Sequence, residues 1–310
     1  MPHPSQLQTL HGFMSCFGDE ETCHNLFSAV RFRNGKYCPH CGHRKVYEFN
    51  NGRRYRCAGC REDFTIKTGT VFGESKVPLQ KWFMALYLLS VNRKGISSVQ
   101  LAKQIGVTQK TAWFMNHRLR EALKQSRNRL SGTIEADETY IGGKEKNKHR
   151  SRRHPGQQGR NTLSKTPIFG LMQRGGRVRA KVTSDVKRTT IEGHLLKHAK
   201  TGSLLYTDEF VSYSRVKENY RHKIVKHSEG EYVRGDVHSN TIENFWSIFK
   251  RGYHGIYHSM SRKHLQRYVD EYAFRFNHRK DSFYTSFITA MDQIAGSSRL
   301  GYAELVQKAS

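Results

Sequence analysis

The chain has 310 residues and carries 53 lysines and arginines against 26 aspartates and glutamates, so its formal net charge is +27 before 17 histidines are counted. This excess is larger than solubility requires and indicates a polyanionic partner. The longest apolar runs, such as residues 82–91, are too short to span a bilayer, and residues 1–12 are polar with no apolar segment after them. We therefore expect a soluble cytosolic protein of two or three domains that binds nucleic acid and has no membrane partner.

Four of the six cysteines form two Cys-x-x-Cys pairs separated by fifteen residues. Each pair can place two thiolates on one tetrahedral ion, and the spacer has the length of a short hairpin. Alternating residues at 45–49 and 53–56, on either side of Asn50-Asn51-Gly52, predict the two strands of that hairpin. Because four thiolates leave no open position for water, we predict one structural Zn²⁺ that does no chemistry. Its predicted ligands are Cys38, Cys41, Cys57 and Cys60.

The hairpin of this zinc ribbon is also expected to bind DNA. Its arginines are placed to contact phosphates, and the residues predicted to do so are Arg53, Arg54 and Arg56, with Arg61 just after the hairpin. Upstream of the ribbon, Cys16 and Cys23 lie in a helix-like segment, and we interpret them as ordinary buried thiols.

Three helices are predicted after the ribbon, at residues 79–91, 97–104 and 110–124. Gly106 interrupts the pattern between the second and the third, and Thr108 is placed to cap the third. A helix, a tight glycine turn and a capped helix are typical of a helix-turn-helix unit, although a plain three-helix bundle has the same pattern. The side chains expected to face a major groove are Gln109, Lys110, Thr111 and Asn116.

From about residue 130 the periodicity becomes that of strands. Aspartate is depleted in strands, so the presence of Asp137 in a predicted strand has to be explained. It is either an outward-facing charge on an edge strand or a functional carboxylate. Asp208 ends an apolar run, as an acid at the end of a central strand would. The predicted strands are residues 132–141, 167–173, 178–182, 202–208 and 223–226, and the predicted helices are residues 189–198 and 262–279.

A further helix is predicted to begin near Asn240, its expected N-cap. Glu243, Ser247 and Lys250 follow at i, i+4 and i+7, so they share one face of that helix. A salt-bridged solvated face explains this spacing as well as a functional site does. The other side of the helix carries the apolar residues Phe245, Ile248 and Phe249.

The order strand, strand, strand, helix, strand, helix, strand, helix is that of an α/β ribonuclease-H-like core. Acids on the first strand, the fourth strand and a late helix can meet at one edge of such a core, and Asp137, Asp208 and Glu243 occupy those places. Three carboxylates a few ångström apart repel one another, and divalent cations remove that conflict. Hard oxygen ligands suit Mg²⁺, or Mn²⁺ as a substitute. Two such ions can activate the oxygen that attacks a phosphodiester and stabilise the oxygen that leaves it.

Motifs spread over nearly the whole chain are similar to those of one family. They are CPHC, CAGC, LAKQIGVTQKTAWFMNHRLREAL, IEADETYIGGK, LLYTDEF and VHSNTIENFWSIFKRGYHGIYH. The chain resembles a DDE transposase of bacterial insertion sequences, in particular the ISXO-like group with an N-terminal zinc ribbon. The resemblance implies that Asp137, Asp208 and Glu243 bind two catalytic metal ions. It also implies that Lys250 acts on DNA near the scissile phosphate, and we expect Arg251 to contact the same DNA.

The activity implied by this resemblance is transposition. The protein would bind the terminal inverted repeats of its element, cut the 3′ ends with water, and join the freed 3′-hydroxyls to target DNA. Two ends must be held together, so we expect a homo-oligomer, a dimer or larger, on DNA. A bacterial, cytoplasmic and nucleoid-associated location is expected. The alternatives are a DNA-binding regulator that has lost catalysis and a nuclease acting on RNA–DNA hybrids.

The expected domains follow the motifs. They are a zinc ribbon with an N-terminal helical segment at residues 1–75, a helix-turn-helix domain at 76–130 and a ribonuclease-H-like catalytic domain at 131–310. Within the last, residues 142–166 are strongly basic and poor in apolar side chains. We expect this segment either to clamp DNA phosphates beside the active site or to form a solvated loop.

Overall fold

The chain folds as two compact units in a computed structural model. Met1–Lys124 and His278–Ser310 form the first unit, and Gln125–Asn277 form the second. The predicted division at residues 75 and 130 stays a prediction, but the structure groups the last residues with the N-terminal part of the chain. The residues described are 7–125, 128–143, 147, 149–153, 165–208, 211–213, 215–225 and 239–307.

The regular elements are numbered here in chain order. The helices are α1 (Leu10–Cys16), α2 (Glu20–Arg31), α3 (Leu79–Val91), α4 (Ser98–Ile105), α5 (Gln109–Ala122), α6 (Arg188–His198), α7 (Asn240–Gly252), α8 (Leu265–Asn277), α9 (Phe283–Ala295) and α10 (Tyr302–Val306). The strands are β1 (Val46–Phe49), β2 (Arg54–Cys57), β3 (Asp63–Phe64), β4 (Thr133–Gly142), β5 (Lys165–Gln173), β6 (Val178–Val182), β7 (Leu204–Thr207) and β8 (Arg221–Ile224). Each helix and strand for which the sequence predicts a residue range is found within a few residues of that range.

Local capping explains the three-helix segment of the first unit. The side chain of Ser97 accepts a hydrogen bond from the backbone N–H of Gln100 at the start of α4. Gly106 ends that helix with φ of 63°, a left-handed conformation that favours glycine. Thr108 then caps α5 by accepting from the backbone N–H of Thr111. The predicted helices and the glycine turn between the last two are confirmed.

Helix α9 completes the core of the first unit, although no helix is predicted there from the sequence. The Phe287 ring lies against Phe13, Phe17 and Phe83, with ring centroids 5.6 to 5.8 Å apart. The buried guanidinium of Arg118 also ties the C-terminal residues to this unit, since its Nε donates to the carbonyl oxygen of Leu300 at 2.9 Å. Residues 278–307 therefore pack with the N-terminal unit, and Phe287 belongs to its core.

The ribbon forms a three-stranded antiparallel sheet in the order β1-β2-β3. Val46 pairs with Cys57 and Phe49 with Arg54, which confirms the predicted hairpin. All three residues of the turn have positive φ: 51° at Asn50, 52° at Asn51 and 78° at Gly52. Asparagine and glycine adopt this conformation most readily, so the turn has the residues its backbone needs. Strand β3 is too short to be visible as a pattern in the sequence.

The second unit is built on a mixed five-stranded sheet in the order β6-β5-β4-β7-β8. Strands β4, β5 and β6 pair antiparallel, and β7 and β8 run parallel to β4. Helices α7 and α8 cover one face of the sheet, and α6 covers the other. This arrangement has the predicted succession of strands with one difference. The residues described between β7 and β8 form two short 3-10 turns, Val211–Tyr213 and Val216–Glu218, where a helix was expected.

The mixed α/β class is thus confirmed. Much of the basic segment 142–166, including Lys144, Lys146, Lys148 and Arg160, lies outside the described residues, so its predicted DNA clamp stays a prediction. Among the helices of the described residues, none combines the length and the apolar character that crossing a membrane would require.

Candidate active site and cysteine cluster

Strand register brings the first two acids to the same level of the sheet. Glu135 of β4 pairs in parallel with Tyr206 of β7. Asp137 lies two residues beyond Glu135, and Asp208 lies two residues beyond Tyr206. Parallel neighbours rise together and lie about 4.8 Å apart, so the two aspartates reach one edge of the sheet side by side. Glu243 is on α7, which packs over the face of β4 that carries Asp137.

The three acids also interact electrostatically. Burial raises the pKa of Asp137 to about 7, and the negative charges of Glu138, Asp208 and Glu243 add to this rise. The backbone N–H of Glu138 donates to Asp137 Oδ1 at 2.8 Å and opposes it. When a carboxyl group is buried among other carboxylates, the protein itself does little to offset its negative charge. The site therefore favours a bound cation.

An open cleft of about 720 Å³ joins Asp137 to the exposed face of α7. Glu243, Ser247 and Lys250 are all exposed on that face, as their spacing indicates. Acidic and basic side chains thus line the same cleft, and α7 contributes both kinds. The side chains that line the cleft include Asp137, Glu138, Glu243, Trp246, Lys250 and Arg251.

The start of α7 differs from the prediction. Asn240 is the first residue of the helix, and Ser239 occupies the N-cap position. The Ser239 hydroxyl donates to Glu243 Oε1 at 2.8 Å, so it orients the acid instead of capping the helix. The expected capping by Asn240 is wrong because a side chain from another element takes that role.

Glu135 caps α7 from the neighbouring strand. Its Oε2 accepts from the backbone N–H groups of Thr241 and Ile242, both at 3.0 Å, and its Oε1 accepts from the Thr241 hydroxyl at 3.1 Å. These N–H groups have no partner within the helix, and a carboxylate at a helix N-terminus is stabilised by the helix dipole. Glu135 therefore fixes the end of α7 from which Glu243 projects.

Arg174 completes this arrangement. The Glu135 side chain is fully buried, and Arg174 Nε donates to its Oε1 at 2.9 Å. The Arg174 guanidinium lies 4.6 Å from the ring centroid of Tyr206 on β7. The role of Glu135 was not predicted. The available signal was a second acid on the same face of a strand as Asp137, two residues before it.

Gly170 allows α7 to approach the sheet closely. It pairs with Asp137 across β4 and β5. A Cβ atom at this position would lie 2.4 Å from Cζ2 of Trp246 and 3.0 Å from Cδ1 of Ile242. Only glycine fits here, which explains a glycine in the middle of a buried strand. The sequence signal was that glycine, in an otherwise apolar run.

The four ribbon cysteines converge on one point. The Sγ atoms of Cys38 and Cys60 lie 3.6 Å apart, as do those of Cys41 and Cys57, and all four lie within 4.8 Å of one another. Tetrahedral zinc with Zn–S bonds of about 2.3 Å places its sulfur ligands about 3.8 Å apart. The cluster therefore fits a structural Zn²⁺. Among the described residues, it is the one group of possible ligands this compact; the carboxylates around Asp137 are more widely spaced.

The arginines predicted to contact DNA lie at the hairpin. Arg53 and Arg54 are exposed, and so is Arg56. Arg54 Nη2 lies 2.8 Å from Asp63 Oδ2, and Arg56 Nε donates to the carbonyl oxygen of Arg61 at 3.2 Å. These contacts hold two of the three arginines in place on the ribbon.

The residues predicted to face a major groove are divided by the structure. Gln109 and Lys110 are exposed and Thr111 is half-buried, at the first turn of α5. Asn116 is only 1 % exposed, so the prediction that it faces DNA is wrong. The reason is that α5 is enclosed by α3, α4 and α9 from its second turn onwards, so burial there is not limited to the apolar side.

Comparisons with known proteins agree with this architecture. The model of the ISXO2-like transposase domain matches residues 129–277, and that of the transposase zinc-ribbon domain matches residues 18–63. The chain is 36 % identical, over 247 residues, to an uncharacterised protein in transposable element ISH50 of Halobacterium salinarum. That match covers 76 % of this chain and 83 % of the relative. The chain therefore belongs to the ISXO2-like transposase family, with an N-terminal zinc ribbon, and the resemblance is confirmed.

Two solved structures are also similar to this chain. The crystal structure of the Mos1 strand transfer complex is 15 % identical, with a TM-score of 0.28, over 71 % of this chain and 78 % of that one. The crystal structure of a pre-cleavage Mos1 transpososome is 12 % identical, with a TM-score of 0.28, over 96 % of each chain.

Proposed function

We propose that the protein is a DDE transposase that binds the terminal inverted repeats of its element, cleaves their 3′ ends and transfers them to target DNA. The observation that carries the proposal is that Asp208 and Glu243 lie near enough to Asp137 for their negative charges, with that of Glu138, to add to the rise of its pKa. Lys250 and Arg251 line the cleft that Asp137 and Glu243 also line. A cleft lined by both carboxylates and cations suits a phosphodiester held beside bound metal ions.

The three carboxylates are the proposed metal ligands. Carboxylate oxygens suit Mg²⁺ or Mn²⁺, and the buried, poorly compensated charge around Asp137 supports a divalent ion there. Two such ions, when bound, would supply activation of the attacking oxygen and stabilisation of the leaving one.

The surrounding side chains would position the DNA. Lys250 and Arg251 extend into the cleft and are free to approach a phosphate from the exposed side of α7. The Ser239 hydroxyl holds Glu243, and Glu135 holds the helix on which it lies. Because these contacts exist before any ligand binds, little reorganisation is needed at the moment of reaction.

Sequence recognition is assigned to the first unit. Helices α4 and α5 would act as a helix-turn-helix, in which the exposed first turn of α5, with Gln109, Lys110 and Thr111, enters the major groove. Arg53, Arg54 and Arg56 of the ribbon would contact phosphates. Two element ends have to be joined, so the active form would be a dimer or a larger homo-oligomer, acting in the bacterial cytoplasm and on the nucleoid.

The test separates DNA binding from chemistry. Asp208→Asn should shift a terminal-repeat duplex in a gel as the wild type does, and should yield no strand-transfer product with Mg²⁺ or Mn²⁺. The matched control is Asp185→Asn, because Asp185 is an acid of the same unit that bonds locally to Lys187 and Thr190. Strand transfer by Asp208→Asn would remove Asp208 from the mechanism. Wild-type protein that binds but never nicks would favour a regulator.

A further inference from the structure

The three-stranded sheet of the ribbon has one face that is not buried. Side chains alternate between the two faces of a strand, and here the inward set includes Tyr55, Cys57 and Phe64, which are all buried. The outward set includes two aromatic residues. Tyr47 is 50 % exposed and Phe49 is 43 % exposed. Solvent-facing strand positions usually carry polar residues, so two large rings on one small face point to a ligand.

Arginines lie directly beside these rings. Tyr47 pairs with Arg56, and Phe49 pairs with Arg54, across β1 and β2. The Arg54 guanidinium carbon lies 5.5 Å from the centroid of the Phe49 ring, within the range of a cation–π contact. Residues paired across two strands lie close together on one face of the sheet. Each ring is therefore next to a positive charge.

One carboxylate lies near both arginines, and Arg56 Nε also donates to the carbonyl oxygen of Arg61. Asp63 of β3 lies 2.8 Å from Arg54 Nη2 and 3.9 Å from Arg56 Nε. Two cations against one anion leave this face with a net positive charge. The side chains of Arg54 and Arg56 are each 52 % exposed, so they remain accessible to a ligand.

We propose that the face formed by Tyr47, Phe49, Arg54 and Arg56, here called the ribbon face, binds single-stranded DNA by stacking unpaired bases on its two rings. Its ligand has to offer flat π-surfaces together with negative charge, and nucleotides offer both. Double-stranded DNA keeps its bases stacked inside the helix, so only its phosphates can reach the ribbon face. Stacking is tolerant of sequence, which distinguishes this site from recognition of a terminal repeat.

The proposal goes beyond transposition and does not depend on it. No acid of the second unit and no divalent ion takes part in it. Asp208→Asn should therefore bind single strands as the wild type does, whatever happens to strand transfer. Failure of either proposal leaves the other intact.

The experiment measures DNA binding by the full-length, zinc-loaded chain. Fluorescence anisotropy is recorded with a labelled oligothymidylate and with a labelled duplex, at several salt concentrations. Tyr47→Leu and Phe49→Leu keep apolar bulk and suit a strand, but they remove the π-surface. Each should weaken binding of the single strand about fivefold or more, since stacking on one aromatic side chain contributes about that much. Binding of the duplex and the salt dependence of both affinities should stay unchanged, because no cation is removed.

Three controls make the result specific. Leu10→Ala truncates an apolar side chain that is 44 % exposed on α1 of the same unit, and it should change neither affinity. Tyr47→Trp keeps a stacking surface and should bind single strands at least as well as the wild type. One zinc per chain in every variant shows that the ribbon is folded.

Two results would overturn the proposal. One is unchanged single-strand binding by the Tyr47→Leu, Phe49→Leu double variant. The other is an equal loss of affinity for both DNAs, which would mean that the ribbon face holds phosphates only. If the double variant instead changes the oligomeric state in sedimentation, with single-strand binding intact, the face belongs to an interface between copies of this chain.

Discussion

Removal of the Glu135 carboxylate tests how the candidate site is held together. In Glu135→Ala, Arg174 loses its buried partner, and two backbone N–H groups of α7 lose their acceptor. Loss of one partner of a buried ion pair costs about 3–5 kcal/mol, and loss of a helix cap costs about 0.5–2 kcal/mol. The same carboxylate serves both, so the two costs overlap. We expect the free energy of unfolding to fall by about 3–5 kcal/mol.

The control is a second buried ion pair of the same unit. Glu271 is fully buried on α8, pairs with Arg275 and accepts a hydrogen bond from the Tyr257 hydroxyl at 3.2 Å. Glu271→Ala should destabilise the unit by a similar amount for the same reason, without touching the start of α7. Urea unfolding without divalent ions measures both changes.

The second measurement distinguishes positioning from stability. Under conditions where all variants are folded, Glu135→Ala should need more Mn²⁺ than Glu271→Ala for half-maximal nicking, because Glu243 is no longer held in place. Glu135→Gln, which keeps one acceptor oxygen, should be intermediate. The reasoning is refuted if Glu135→Ala lowers the free energy of unfolding by less than about 1 kcal/mol. It is also refuted if the two alanine variants need the same Mn²⁺ concentration for half-maximal nicking.

Three further variants test other features. Asp137→Asn should abolish nicking yet stabilise the metal-free protein. Burial raises the pKa of the Asp137 carboxyl from 3.8 to about 7, so the wild type loses stability as pH rises between those values. The variant should therefore gain up to about 4 kcal/mol in the free energy of unfolding at pH 8, measured by urea unfolding. Gly170→Ala should lower the free energy of unfolding by about 1–3 kcal/mol, and lower activity, because the added Cβ meets Trp246. Gly193→Ala, in open space on α6, should be neutral or stabilising, and thermal unfolding compares the two variants. Cys57→Ser should lose zinc, measured by metal analysis, and unfold the ribbon; a variant that retains one zinc per chain would contradict the four-cysteine site.

Periodicity was enough to place most elements of the fold. The alternation at 178–182 predicts β6 with its observed bounds, and the apolar spacing at 79–91 does the same for α3. Local signals of this kind depend on neighbouring residues only. The glycine turn at Gly106 and the cap at Thr108 were predictable for the same reason.

Contacts between distant residues were not predictable in this way. Glu135 reaches Ile242 across 107 positions, and nothing in the strand pattern shows that its partner is a helix end. The helical pattern places Asn116 on a polar face, but α3, α4 and α9 all pack on α5 and Asn116 is buried. Asp137, Asp208 and Glu243 are predictable as a site because three carboxylates suggest metal binding. A strand pattern alone carries no such chemical signal.

The chain leaves its first unit after Lys124 and returns to it at His278. During synthesis, the rings of Phe13, Phe17 and Phe83 therefore emerge long before Phe287, which packs among them. A ribosome must make the whole second unit before the N-terminal half can close its hydrophobic core. Truncated translation products would keep that apolar surface open and would tend to aggregate.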